Sequence, residues 1–146
     1  MPEFDWEEGV VEEYLDCTGA VRRFRLMIYA AGLFLDAREI LGGEPIGLRF
    51  VERVGDDPGI AFGKIRDRIR ERLAQRDVVR DARTGELSLL RDRLMGQIDS
   101  FDRSGDGPSV LVDDLELTWA EVGELLAPFE GFHVELFIRD VGGEEP

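Results

Sequence analysis

Two hydrophobic periods occupy different parts of the chain, and together they limit the fold more than any other feature. From Val21 to Tyr29 the side chains alternate. Val21, Arg23, Arg25, Met27 and Tyr29 point one way, and Arg22, Phe24, Leu26 and Ile28 the other; this is the period of a strand. Further on, Phe62, Ile65, Ile69 and Leu73 recur every three or four positions and lay one apolar stripe along a helix. Such a stripe has to be buried against another layer, and the strand-like runs on both sides of it supply one. The pattern predicts an α+β fold: a mostly antiparallel sheet built from hairpins, with two helices, 59–75 and 119–127, packed on one face.

Local signals place the remaining elements. Residues 9–16 read as a strand, with the Cys17-Thr18-Gly19-Ala20 turn after them. Residues 33–41 fit a strand or a short helix, and the tight Ala30-Ala31-Gly32 connection favours the strand. Leu48–Val54 reads as a strand. Asp57-Pro58 is a helix start, with Asp57 as N-cap and Pro58 suited to the first turn. Arg66 and Arg70 flank one side of the stripe, and Lys64, Arg68 and Arg72 the other. Their stems are expected to lie over the core edge and their heads to pair with acids. Residues 87–94 suit either an extended or a helical form, and Met95–Phe101 reads as a strand.

The clearest local signature lies further along. Val110-Leu111-Val112 and Leu115-Glu116-Leu117 form a hairpin around Asp113-Asp114, two residues tolerant of left-handed geometry. Thr118 then caps a helix, with Glu121 completing a capping box and Leu117 with Val122 a hydrophobic staple. Trp119, Val122, Leu125 and Leu126 are the expected buried face, and Pro128 ends the helix. After the Glu130-Gly131 turn, Phe132–Asp140 reads as a last strand, with Phe132, Val134, Leu136 and Ile138 on one face and His133, Glu135, Phe137 and Arg139 on the other.

The Val110–Leu126 stretch, continuing through Phe129-Glu130-Gly131-Phe132, resembles a family of uncharacterised prokaryotic domains. Its pattern is a short strand, Asp-Gly, a strand ending in Ser/Thr-Trp, a short helix, and an aromatic-Glu-Gly-aromatic run before a final strand. Asp57-Pro58 leading into Phe62, Ile65, Arg66 and Ile69 is similar to an earlier helix of the same family, so the resemblance spans about residues 48–140. Asp114 stands where the pattern has Gly. The resemblance implies a fold and carries no known activity.

Composition excludes more than it names. The 146 residues hold 32 acids against 18 bases, one Cys and one His. One Cys rules out a disulfide framework, and the pair rules out Cys/His structural zinc within one chain. The net charge of −14 argues against a nucleic-acid or anionic-membrane surface across the whole chain. The charge is uneven: −7 over residues 1–16, +3 over 17–101 and −10 over 102–146. An acidic N-terminus and the absence of a long apolar run lead to the expectation of a cytoplasmic protein with no membrane contact. One domain, 1–146, is expected, with a flexible acidic tail at 141–146.

The catalytic motifs are weak. His133 and Glu135 share a strand face, the spacing of a base steered by a carboxylate, and Arg139 is the third member of that candidate cleft. A partly exposed strand histidine is the simpler reading, because no nucleophile is marked out for it: Ser88, Ser100, Ser104 and Ser109 lack support. Cys17 follows Asp16, whose charge disfavours a thiolate. Asp102–Gly107 looks like the opening of a calcium loop, but Asp113 stands where such a loop needs Glu. Gly42-Gly43 lacks the Lys of a phosphate loop. No catalytic residue, cofactor or metal ligand is therefore assigned. The expected function is a non-enzymatic interaction module of accessory, regulatory or immunity type. It would bind a basic protein through Asp113, Asp114, Glu116, Glu121 and Glu124, with no nucleic acid. Phe4 and Trp6 in the acidic N-terminal segment are expected to dock, either over the sheet of the same chain or as an exposed partner-binding hook. The alternative is a small-ligand or enzyme domain around His133, Glu135 and Arg139.

Overall fold

The structure, a computed structural model, describes residues 9–29, 31–45, 47–99 and 107–140. Phe4, Trp6, the tail 141–146 and most of the calcium-like run lie outside the described residues. The chain divides into two compact units, residues 1–74 with 137–146, and residues 75–136. Neither a Gly/Pro-rich stretch nor a charge run marks the seam at Ala74-Gln75.

The first unit is an antiparallel meander of β1 (Val10–Leu15), β2 (Val21–Tyr29), β3 (Phe34–Glu39) and β4 (Arg49–Arg53), followed by α1 (Pro58–Leu73). The segment at 33–41 resolves as strand β3. Alternation sets the buried face: Phe24 and Leu26 of β2, Leu35 and Ala37 of β3, and Phe50 of β4. The stripe of α1, with Phe62, Ile65, Ile69 and Leu73, is buried too, and the helix lies against β3 and β4. Asp57 caps α1 by accepting from the Gly59 amide at 2.9 Å, which satisfies one of the orphan donors of the first turn.

Arg22 falls on the buried face of β2, and a charge there needs a partner. Glu39 of β3 supplies it. Arg22 Nε donates to Glu39 Oε2, and Arg22 Nη2 donates to Oε1 at 3.0 Å. The Leu48 amide also donates to Oε1, at 3.1 Å, and Asp16 approaches Arg22 Nη1 at 3.4 Å. Burial by itself would lower the guanidinium pKa, but the hydrogen bonds and charges of Glu39 and Asp16 hold it above the usual arginine value. Gly47 lies hard against this carboxylate: a Cβ there would stand 2.5 Å from Glu39 Oε1.

The second unit contains the hairpin β5 (Val78–Arg80)–β6 (Leu87–Leu89), the antiparallel sheet β7 (Gln97–Asp99)–β8 (Ser109–Val112)–β9 (Leu115–Leu117), and α2 (Trp119–Leu126) with a 3₁₀ turn at Ala127–Phe129. Its core is Val78, Leu87, Val110, Val112, Leu117, Val122 and Leu125.

Antiparallel sheets and two helices make the protein α+β. The helices do not share a face of one sheet: α1 lies on β3 and β4, and α2 on β6 and β9. A second correction concerns Phe132–Asp140, which is no strand and pairs with none of the described strands. Period-two patterning suits a strand, but a strand also needs a ladder to accept it. Among the described residues no helix is long and apolar enough to cross a membrane.

Candidate functional site

The hairpin and helix that carry the acidic candidates form as their local chemistry requires. Asp113 takes a positive φ of 55° at the β8–β9 turn, a conformation that Asp tolerates better than most residues. Thr118 Oγ1 accepts from the Glu121 amide at 3.1 Å, and Glu121 Oε1 accepts from the Thr118 amide at 3.1 Å, closing the capping box. Leu117 and Val122, the staple residues, sit in one core.

The five acidic candidates have different surroundings. Asp113 is buried and its Oδ2 accepts from the amides of Asp77 at 2.9 Å and Val78 at 3.0 Å. Asp114 pairs with Arg76 at 3.0 Å. Glu116 accepts from the Ser109 hydroxyl at 3.2 Å. Glu121 serves the capping box and approaches Arg80 at 3.9 Å. Glu124 is exposed on α2. Asp77, which sequence reasoning missed, is 1% exposed and accepts from the Met95 amide at 2.8 Å. With Asp113 it ties three distant backbone stretches together. Its only sequence signal is an acid directly before an apolar strand.

Apolar surface, more than acid, distinguishes α2 and the chain that follows it. Val122 and Leu125 are buried, whereas Trp119 and Leu126, expected on the same buried face, are exposed at 47% and 39%. They lie seven residues apart and so share one side of α2. Beyond the turn, where the Phe132 amide donates to the Phe129 carbonyl at 2.9 Å, the chain turns its apolar side chains outward. Phe132 is 72% exposed, Leu136 77%, and Val134, Phe137 and Ile138 are comparable. His133, Glu135 and Arg139 are exposed on this same segment. The sheet face that would have aligned His133 with Glu135 is not formed by the described strands.

The strongest electrostatic perturbation lies in the first unit, on β1 and α1. Glu12 accepts from the Tyr14 hydroxyl at 2.7 Å, from Arg66 Nε at 3.0 Å and, through its other oxygen, from Arg66 Nη2 at 2.7 Å. Arg66 lies over the Phe62 ring at 5.1 Å, and Arg70 over the Tyr14 ring at 5.8 Å. Burial pushes the Glu12 carboxyl up, but the hydrogen bonds from Arg66 and Tyr14 outweigh it and hold the group below the usual glutamate value. Burial, then the hydrogen bond to Glu12 and its charge, push Tyr14 up to about 12. This cluster fastens the helix to the sheet edge and holds the tyrosine neutral at physiological pH. Cys17 is exposed. Among the described residues no three of His, Cys, Asp and Glu come together to hold a metal ion.

The chain is thus an α+β protein of two compact units with an apolar, strand-patterned, exposed segment, Phe132–Ile138, whose residues 132–136 close the second unit and whose residues 137 and 138 belong to the first. Residues 77–142 match the profile of a family described as a domain of unknown function (DUF7713), to which no activity is attached. The matched span opens two residues after the second unit begins and contains the Val110–Phe132 signature, whereas the Asp57–Ile69 helix lies outside it. No curated protein and no solved structure matches the chain.

Proposed function

We propose that this protein is a non-enzymatic interaction module of accessory, regulatory or immunity type, binding a protein partner through the segment Phe132–Ile138. The observation that carries this reading is the run of five large apolar side chains held in solvent at 60% exposure or more. Exposing such a run is costly, and runs of this kind mark contact surfaces. Glu130, Glu135 and Asp140 set three acids against Arg139, so the matching surface is an apolar groove with a basic rim. The charges steer and speed association, and the aromatic and aliphatic side chains supply the affinity.

Affinity capture from the native host, comparing the wild type with a Leu136→Asp/Phe137→Asp variant, tests this. The wild type should retain a partner at low salt and release it progressively toward physiological salt, and the variant should retain none. Equal capture by both proteins, or capture indifferent to salt, would refute the proposal.

A further inference from the structure

The segment Phe132–Asp140 has an open backbone edge as well as an apolar face. Among the described residues, none makes a backbone hydrogen bond to residues 133–138, and none of these six takes a left-handed φ. The segment holds no Gly or Pro, and Phe132, Val134, Phe137 and Ile138 are residues that strands favour. A strand-patterned stretch with an unpaired edge is a template for pairing with another chain.

The order of the side chains says which chain that is. Glu135-Leu136-Phe137-Ile138-Arg139 reads acid, aliphatic, aromatic, aliphatic, base. Let two copies run antiparallel about a two-fold axis at Phe137. Glu135 of each copy then stands opposite Arg139 of the other, Leu136 opposite Ile138, and Phe137 opposite its own equivalent. Opposite charges, apolar pairs and aromatic pairs in these positions all stabilise a ladder. Other registers are poorer. An axis at Glu135 sets two carboxylates against each other, and one at Leu136 leaves Glu135 facing Phe137. An axis at Val134 pairs His133 with Glu135, but the left-handed Gly131 and the 3₁₀ turn at Ala127–Phe129 cut that ladder short. A parallel pair in register aligns acid with acid and base with base. Arg139 already interacts within its own chain, and a guanidinium with five donors can serve a second carboxylate.

We infer that the chain forms a two-fold dimer through antiparallel pairing of the Glu135–Arg139 stretch, so that a second copy occupies the open edge of the segment. This rests on the reading of Phe132–Ile138 as the contact segment and extends it. Pairing uses the backbone edge, and Phe132, Val134, Leu136 and Ile138 of both copies gather on one face of the ribbon. Two strands alone are marginal in water. The pure chain therefore dimerises weakly, and the doubled apolar face is what the groove of the protein partner covers.

Sedimentation velocity on the full chain, over a concentration series at physiological salt, tests this; the salt screens the repulsion between two chains of −14. The wild type should pass from monomer to dimer as concentration rises. Glu135→Arg sets base against Arg139 twice and should weaken dimerisation about tenfold or more. The same change makes the chain less negative, which would favour association through any other surface. Arg139→Glu should weaken it likewise. Both positions are exposed, and circular dichroism checks that each variant is folded. An equimolar mixture of the two variants should regain the wild-type affinity, because each new charge then faces its opposite. A wild type that stays monomeric at every concentration overturns the inference. So do single variants that dimerise like the wild type, or a mixture that associates no better than its components. A monomer that still captures a host protein removes the dimer and leaves the contact reading standing, whereas a dimer that captures none upholds the dimer and removes that reading.

Discussion

Removing Glu39 should be the most damaging single change among the described residues. Its carboxylate is 1% exposed and accepts from Arg22 Nε, Arg22 Nη2 and the Leu48 amide. Glu39→Ala removes the bidentate carboxylate from the buried Arg22 guanidinium, which keeps Asp16 at 3.4 Å, and takes the acceptor away from the Leu48 N–H. Removing one partner of a buried pair costs about 3–5 kcal/mol. At about 3 °C per kcal/mol for a chain of this size, the melting temperature should fall by roughly 10–15 °C. Arg22→Met should cost a similar amount, because it leaves Glu39 charged and buried. The double variant Arg22→Met/Glu39→Leu removes both charges and keeps the volume, so it should recover most of the loss; replacing whole buried pairs is often close to neutral. Urea denaturation followed by circular dichroism of the wild type, Arg22→Met, Glu39→Leu and the double variant yields all four corners of the cycle. The reasoning fails if Glu39→Ala costs less than about 1 kcal/mol, or if the double variant loses the sum of the two single losses.

Four further changes report on other parts of the structure. Tyr14 should ionise near 12 in a tyrosinate absorbance titration; Tyr14→Phe should remove that step, and Glu12→Gln should lower it only in part, because burial, the larger cause, remains. Because folding raises the Tyr14 pKa, its contribution to stability is complete below about pH 10 and fades as pH rises toward 12. Folding lowers the Glu12 pKa, so the Glu12 contribution is complete above its ordinary value and fades as pH falls below it; unfolding free energies measured from pH 3 to 7 should be flatter in Glu12→Gln. Asp113→Ala should cost about 1–3 kcal/mol in chemical denaturation by orphaning the amides of Asp77 and Val78, with the left-handed φ adding strain for Ala. Thr118→Ala should cost about 1 kcal/mol through loss of the cap on α2, read from the urea midpoint.

Much of the fold was legible because its signals are short-range. The alternation of β2 is set by its own backbone period, and the Asp57-Pro58 start of α1, the capping box on Thr118 and Glu121, and the Asp113-Asp114 hairpin turn depend on interactions within about four residues. Residues 33–41 were harder, since a strand and a short helix bury similar side chains there, and pairing with β2 and β4 decided it. The reading of Trp119 as buried failed because an apolar residue at the end of a stripe lies inside or outside according to what else reaches it. The candidate acids were visible as residue types. Their roles were not, because the amides that Asp113 serves come from 35 and 36 residues away.

Phe132–Asp140 and the Arg22–Glu39 pair mark the boundary between the two kinds of information. Sequence by itself determined that residues 132–138 alternate, that Arg22 interrupts an apolar face, and that most of the basic residues lie in the middle of the chain. Only the tertiary structure decided that Arg22 meets Glu39 and that the last alternating segment joins no described ladder. The reason is physical. Side-chain period is set by the backbone of one segment, whereas strand register and ion pairing are set by which segments meet, and that depends on how the whole chain buries its apolar surface.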